Sequence, residues 1–125
     1  MDTVNINVTF PKPPKVEQHT VQGMPVEWKG VRHGAADYSL GVMQNLDFSI
    51  DDAYPHVLTA KGAKLLDKSF VLINGYEGYE FKMDFGSRQV IQRMIRYHNA
   101  LVTQTAIYTE QEVEDTARFI NSLTL

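Results

Sequence analysis

Apolar and polar residues alternate along most of this chain, and the period changes in only two places. From Val4 to Phe10, Ile6, Val8 and Phe10 share one face while Asn5, Asn7 and Thr9 share the other. That predicts a strand with one wet face. Pro11, Pro13 and Pro14 end it, because proline has no N–H for a sheet ladder. Val16 to Gln22 predicts a second, more polar strand near an edge. After a turn at Gly23-Met24-Pro25, Val26 and Trp28 open a third strand ending near Arg32. A loop at His33-Gly34-Ala35-Ala36 leads to a fourth strand from Tyr38 to Leu46, with Tyr38, Leu40, Val42 and Leu46 on one side.

The first change of period follows. Ser49, Asp51 and Asp52 are N-cap residue types, Pro55 suits a helix's first turn, and Gly62 suits its end. They predict a helix over Ala53 to Lys61. The stretch from Gly62 to Phe81 then reads as strand, glycine turn and strand. Phe70 and Leu72 alternate with Val71 and Ile73, so both faces are apolar, which predicts a strand covered on both sides. Asn74-Gly75 and Gly78 are expected to supply positive φ for the bend, and Tyr79 and Phe81 resume the alternation. Gln89 to Tyr97 and Leu101 to Tyr108 form another hairpin around His98-Asn99.

The second change is at the C-terminal end. Thr109 with Glu112 is a capping box, and acids crowd the first turn while Arg118 lies toward the end. Val113, Ala117, Ile120 and Leu123 are expected to form one apolar stripe lying on the sheet. The elements together predict one α+β domain over residues 1–125, an antiparallel sheet of about six strands with the last helix on one face.

Composition changes this picture little. The chain has 125 residues, a formal net charge of −3 and no cysteine. Thiolate catalysis, disulfides and cysteine-held metals are excluded, and a mild negative charge gives no general pull toward nucleic acid. No apolar run is long enough for a membrane span. A cytoplasmic location and an exported one with its leader removed are both compatible with these features.

Candidate chemistry is sparse. His19, His33, His56 and His98 show no metal-ligand spacing, Asp51-Asp52 reads as a cap, and no Gly-x-Ser-x-Gly, Walker or dinucleotide fingerprint is present. No catalytic, cofactor-binding or metal-binding residue is therefore assigned, and no cofactor. Arg88, Arg93, Arg96 and His98 form a basic strip without acids, and Tyr76 sits at a hairpin tip where burial is hard. These five are the candidate partner surface.

Several segments resemble one family. Gly62, Lys64, Leu65, Leu66 and Leu72, then Gly75-Tyr76-x-Gly78-x-Glu80-Phe81, look like the central segment of small bacterial members of the PsbP-like and Mog-type family. Tyr97-His98-Asn99-Ala100-Leu101 resembles its next turn, and Arg118-Phe119-Ile120-x-Ser122-Leu123-x-Leu125 its closing helix. Val8-Thr9-Phe10-Pro11 is similar to its opening. The resemblance implies an antiparallel sheet between helices, an α/β/α sandwich. It also implies an accessory or binding role: plant members assist photosystem II, Mog members bind the GTPase Ran, and bacterial members are often exported or lipid-anchored. The chain departs in its short first helix, its short connection before the last helix and its lack of a lipobox cysteine.

Two functional readings follow. The first is a non-catalytic binding or accessory domain acting on a protein partner, with no nucleic acid and no membrane span. The second is a small metal-dependent or hydrolytic enzyme assembled from loop histidines, His33 and His98, with carboxylates. Fold does not choose between them, because sites are grafted on folds.

Overall fold

A computed structural model of the chain describes residues 6–21, 23–44 and 48–125. Strands β1 (Lys15–Val21), β2 (Met24–His33) and β3 (Ala36–Met43) come before a connector. After it come β4 (Lys64–Ile73), β5 (Tyr76–Phe85), β6 (Arg88–Tyr97) and β7 (Ala100–Tyr108). All seven form one antiparallel sheet in the order β1-β2-β3-β7-β6-β5-β4. Each neighbouring pair is a hairpin of consecutive strands except β3 with β7, which joins Asp37–Met43 to Leu101–Ile107. The helices are α1 (His56–Ala60) and α2 (Val113–Asn121), each preceded by a 3-10 turn, Ile50–Asp52 and Glu110–Glu112.

One face of the sheet carries α2. The capping box forms: Thr109 N–H donates to Glu112 Oε1 at 2.9 Å, and the Thr109 hydroxyl oxygen accepts from Gln111 N–H. The sheet then satisfies the far end of the helix. Gln104 Nε2 donates to the Phe119 carbonyl at 3.0 Å, which also accepts from Ser122 N–H and Oγ, and Arg93 donates to the Ile120 carbonyl at 2.9 Å, an acceptor that a helix end leaves without an intrahelical partner. Tyr38 and Thr116 share a buried hydroxyl contact of 2.9 Å. Burial pushes the Tyr38 phenol up from its ordinary value, against the opposing effect of that hydrogen bond. Tyr38, Ala106, Tyr108, Phe119 and Ile120 pack here, beside Leu40, Val42, Ile95, Val102 and Leu123. Each fully buried large side chain contributes roughly 1.5–3 kcal/mol.

The apolar stripe on α2 is rotated from the expected one. Ile120 and Leu123 are buried, but Val113 is 52 % exposed and Ala117 is exposed, while Thr116 and Phe119 take their places. The 3-10 first turn sets this: the helix proper starts at Val113, with its buried side defined by Glu112 and the sheet contacts of Thr116 and Phe119.

The connector covers the β5–β6 half of the other face. Ile50, Ala53, Leu58 and Ala63 pack on Phe81, Met83, Val90 and Met94. The structure therefore corrects the expected sandwich of about six strands between helices. Among the described residues the sheet has seven strands, and this second layer is mostly non-helical chain with a five-residue α1. Ala53 is extended (φ −60°, ψ 133°) and Pro55, at ψ 64°, is the N-cap rather than a first-turn residue, so no helix runs from Ala53.

Three strand expectations also change. The predicted first strand is an extended segment tied by one bridge, Asn7 to Thr124, and by Thr9 N–H donating to Ser122 Oγ at 2.8 Å. Its partner is the C-terminal segment, not a sheet strand, and its Val4 and Asn5 lie outside the described residues, as do Gln22 and Leu46. The strand with two apolar faces, β4, is an edge rather than a covered strand. Asn74 (φ 52°) and Gly75 (φ 86°) make the β4–β5 turn, but Gly78 does not take part in it. Gly78 lies within β5, where an added Cβ would overlap the Met94 carbonyl oxygen of β6.

Candidate functional site

The strand period decides what becomes of the expected partner surface. Alternation along β6 sends Arg88 and Arg96 to the connector face and Arg93 to the α2 face. Arg88 pairs with Asp37 at 2.9 Å, at one end of the sheet. Arg93 pairs with Glu80 at 2.9 Å and holds the end of α2. Arg96 donates to the Phe48 carbonyl and stacks over the Phe48 ring at 5.4 Å. The arginines are thus separate structural pins. Tyr76 and His98 do come together, with ring centroids 5.6 Å apart, and Tyr97 lies 4.7 Å from Tyr76 and 4.6 Å from His98.

The histidines of the enzyme reading lie apart. Pairing of His33 with Ala36 puts it at the sheet end where β6 begins, whereas His98 turns the chain where β6 ends. Among the described residues, no group of three or more His, Asp or Glu side chains is placed to hold a metal ion. No helix among them is long and apolar enough to cross a membrane.

Two features of the structure have the character of a binding surface. One is the free edge. On β4, Phe70 is 53 % exposed and Leu72 59 % exposed, two residues apart on the connector face. A bulge between Leu65 and Asp67 turns Leu66, 63 % exposed, toward a shallow hollow beside Lys82, Ile91 and Tyr108. Behind Phe70, Tyr79 meets it edge-on at 5.8 Å and donates to Asp51 at 2.6 Å. That hydrogen bond, before burial, raises the Tyr79 phenol above its ordinary value. The opposite edge, β1, is dressed with charge: Glu17 contacts Lys15 at 3.1 Å and His19 at 2.9 Å, and the Lys15 contact draws the Glu17 carboxyl below the usual range.

The other feature is a groove of about 700 Å³ on the half of the connector face that the connector leaves bare. Its floor is a row crossing four strands: Gly30 pairs with Ser39, Ser39 with Thr105, and Thr105 with Gln92. The indole of Trp28 lies over Gly30, where an added Cβ would overlap Cζ2 and Cη2. Val57 of α1 and Lys61, the residue after its last turn, line one side, and Lys12 with Pro13 also line it. Gln92, 8 % exposed, donates through Nε2 to Thr105 Oγ1 at 2.9 Å, and its Oε1 has no partner. Sequence reasoning missed this groove, although Trp28, Gly30 and Gln92 stand in plain alternation on their strands. The row exists only once four strands are in register, and pairing of β3 with β7 across the whole connector is not legible locally.

No family model matches the chain, and no curated protein matches it. The chain is similar to the solution structure of cyanobacterial PsbP from Synechocystis, with 13 % identity and a TM-score of 0.47 over 88 % of this chain and 92 % of that one. It is also similar to the crystal structure of PA94, a protein of unknown function from Pseudomonas aeruginosa. There the identity is 15 % and the TM-score 0.40, over 82 % of this chain and 88 % of that one. Neither structure is named as a Mog-type protein. At these scores the likenesses carry no argument about function.

Proposed function

We propose that this chain is a non-catalytic binding domain that takes an extended segment of a partner protein along β4. The observation that carries this reading is the contrast between the two edges. A free edge strand offers a row of unpaired N–H and C=O groups, and folded proteins normally blunt such edges with charge or cover. β1 strings Lys15, Glu17 and His19 along one face with Val16 exposed on the other, whereas β4 presents three large apolar side chains, Leu66, Phe70 and Leu72, beside Lys64, Asp67 and Lys68. Adding a strand there would satisfy the edge and cover Phe70 and Leu72 with side chains at alternate positions.

Photo-crosslinking in the source cells tests it. A benzophenone amino acid placed at Phe70 is expected to trap one defined protein, and the same probe at Val16 on β1 is not. Adding Leu72→Lys should abolish that adduct while leaving the melting curve unchanged. Adducts only between copies of this chain, with a dimer mass in light scattering, would make β4 a self-association seam instead. Equal trapping at positions 70 and 16 would remove the basis for the proposal.

A further inference from the structure

We propose that the groove on the connector face binds a small aromatic anion that carries its own hydrogen-bond donor. The inference is independent of β4, because the groove lies toward the β1–β2–β3 side of the sheet.

Shape, charge and an unmet acceptor converge on this ligand class. A groove of about 700 Å³ is within the usual size range of small-molecule sites. Trp28 supplies a flat apolar surface at its floor, kept open by Gly30, and Val57, 62 % exposed, faces solvent from the wall. Four cationic side chains line it, Lys12, Lys15, Arg32 and Lys61, against the single carboxylate of Asp37. Asp37 is already engaged by Arg88 at 2.9 Å, and Arg32 stands 3.9 Å from it. Lys12 and Lys61 make no ion pair among the described residues. Lys15 is paired with Glu17 at 3.1 Å, so the uncompensated positive charge that an entering anion meets is that of Lys12 and Lys61. An aromatic ring also suits a site that combines an indole with ammonium groups.

Gln92 sets the remaining requirement. Its Nε2 is used by Thr105, while Oε1 is buried and unpaired. A buried acceptor without a donor is costly, so a ligand N–H or O–H reaching it by a small rotation of the amide gains what the free protein lacks. Gln104 has an unpaired Oε1 too, but it is closed beneath α2 with no exposure, so nothing can reach it.

Three matched probes separate the elements of this claim: 6-hydroxy-2-naphthoate, 2-naphthoate and 2-naphthol. Trp28 is the only tryptophan, so quenching of its emission reports occupancy. The hydroxylated anion is expected to bind at least about fivefold more tightly than 2-naphthoate, the factor for meeting one buried acceptor. Gln92→Leu should erase that ratio. Lys61→Glu, at the exposed residue just past α1, should weaken both naphthoates and leave 2-naphthol unchanged. Absence of quenching by any probe at millimolar concentration would overturn the proposal. So would a ratio that survives Gln92→Leu, which would mean that the hydroxyl gains its affinity elsewhere in the groove. If Gln92→Leu melts early, the Lys61→Glu comparison still decides whether anions enter.

Discussion

At the scale of single residues, two positions have consequences that follow from contact rather than residue type. Gly78 lies against the β6 backbone, and a methyl group there would overlap the Met94 carbonyl oxygen, which cannot swing away as a side-chain tip can. Gly78→Ala is expected to destabilise by about 1–3 kcal/mol, the range for overpacking, as read from a urea melt. An unshifted midpoint would show that β5 and β6 part easily. Glu112 is the second. Hydrogen bonds from the Thr109 hydroxyl first, then from the Thr109 and Ala35 backbone, hold its carboxyl below the usual range. A carboxyl whose pKa is lower folded than unfolded stabilises above its unfolded pKa, and that contribution fades as pH falls through the folded value. Glu112→Gln keeps the cap's shape without the charge, so its stability should decline less steeply in acid than wild type, and the two melting temperatures should converge. Parallel curves would mean that Glu112 titrates alike in both states. The capping box was plain from Thr109 and Glu112 themselves. The role of Gly78 was not, because a glycine between Tyr76 and Tyr79 looks the same whether it bends the chain or admits a neighbouring carbonyl.

At the scale of elements, periodicity found most strands and misjudged their company. β2, β3, β6 and β7 follow their alternation closely, since one side of each is buried in a way that the pattern records. β4 has apolar residues on both faces and still lies at an edge, because position in a sheet is fixed by partners far away in sequence. The α2 stripe was displaced for a related reason: a 3-10 turn altered the phase at which the helix meets the sheet. Ile120 and Val113 make this testable. Ile120→Ala should cost roughly 2–5 kcal/mol, as a large-to-small change in a core does. Val113→Ala, at 52 % exposure, should shift stability by less than about 0.5 kcal/mol. Equal costs in a denaturant series would restore Val113 to the buried side.

At the scale of the whole molecule, the sheet separates surfaces that the sequence ran together. The basic strip on β6 is divided between two faces and consumed in holding Asp37, Glu80, Ile120 and Phe48. The groove drew its floor from four strands and its walls from two connections, so no stretch of sequence contained it. What was legible was the antiparallel pairing and the C-terminal helix on one side, not the class of fold: among the described residues, seven strands and two short helices replace the expected sandwich of about six strands. The second layer was not legible either, because Pro55 looked like a helix opener and in fact delays α1 to His56.

The seam between β3 and β7 bears on how the chain assembles. β1–β3 and β4–β7 are each strings of local hairpins that need only short loops to close. Their union must bring Met43 against Leu101 across the intervening chain, and such non-local pairing is slow because the entropy of closure comes before its reward. Native-state hydrogen exchange should therefore reveal two blocks, with the amides of β6 and β5 outlasting those of β1 and β2 when the seam opens. One common opening energy across all seven strands would show instead that neither half persists without the other.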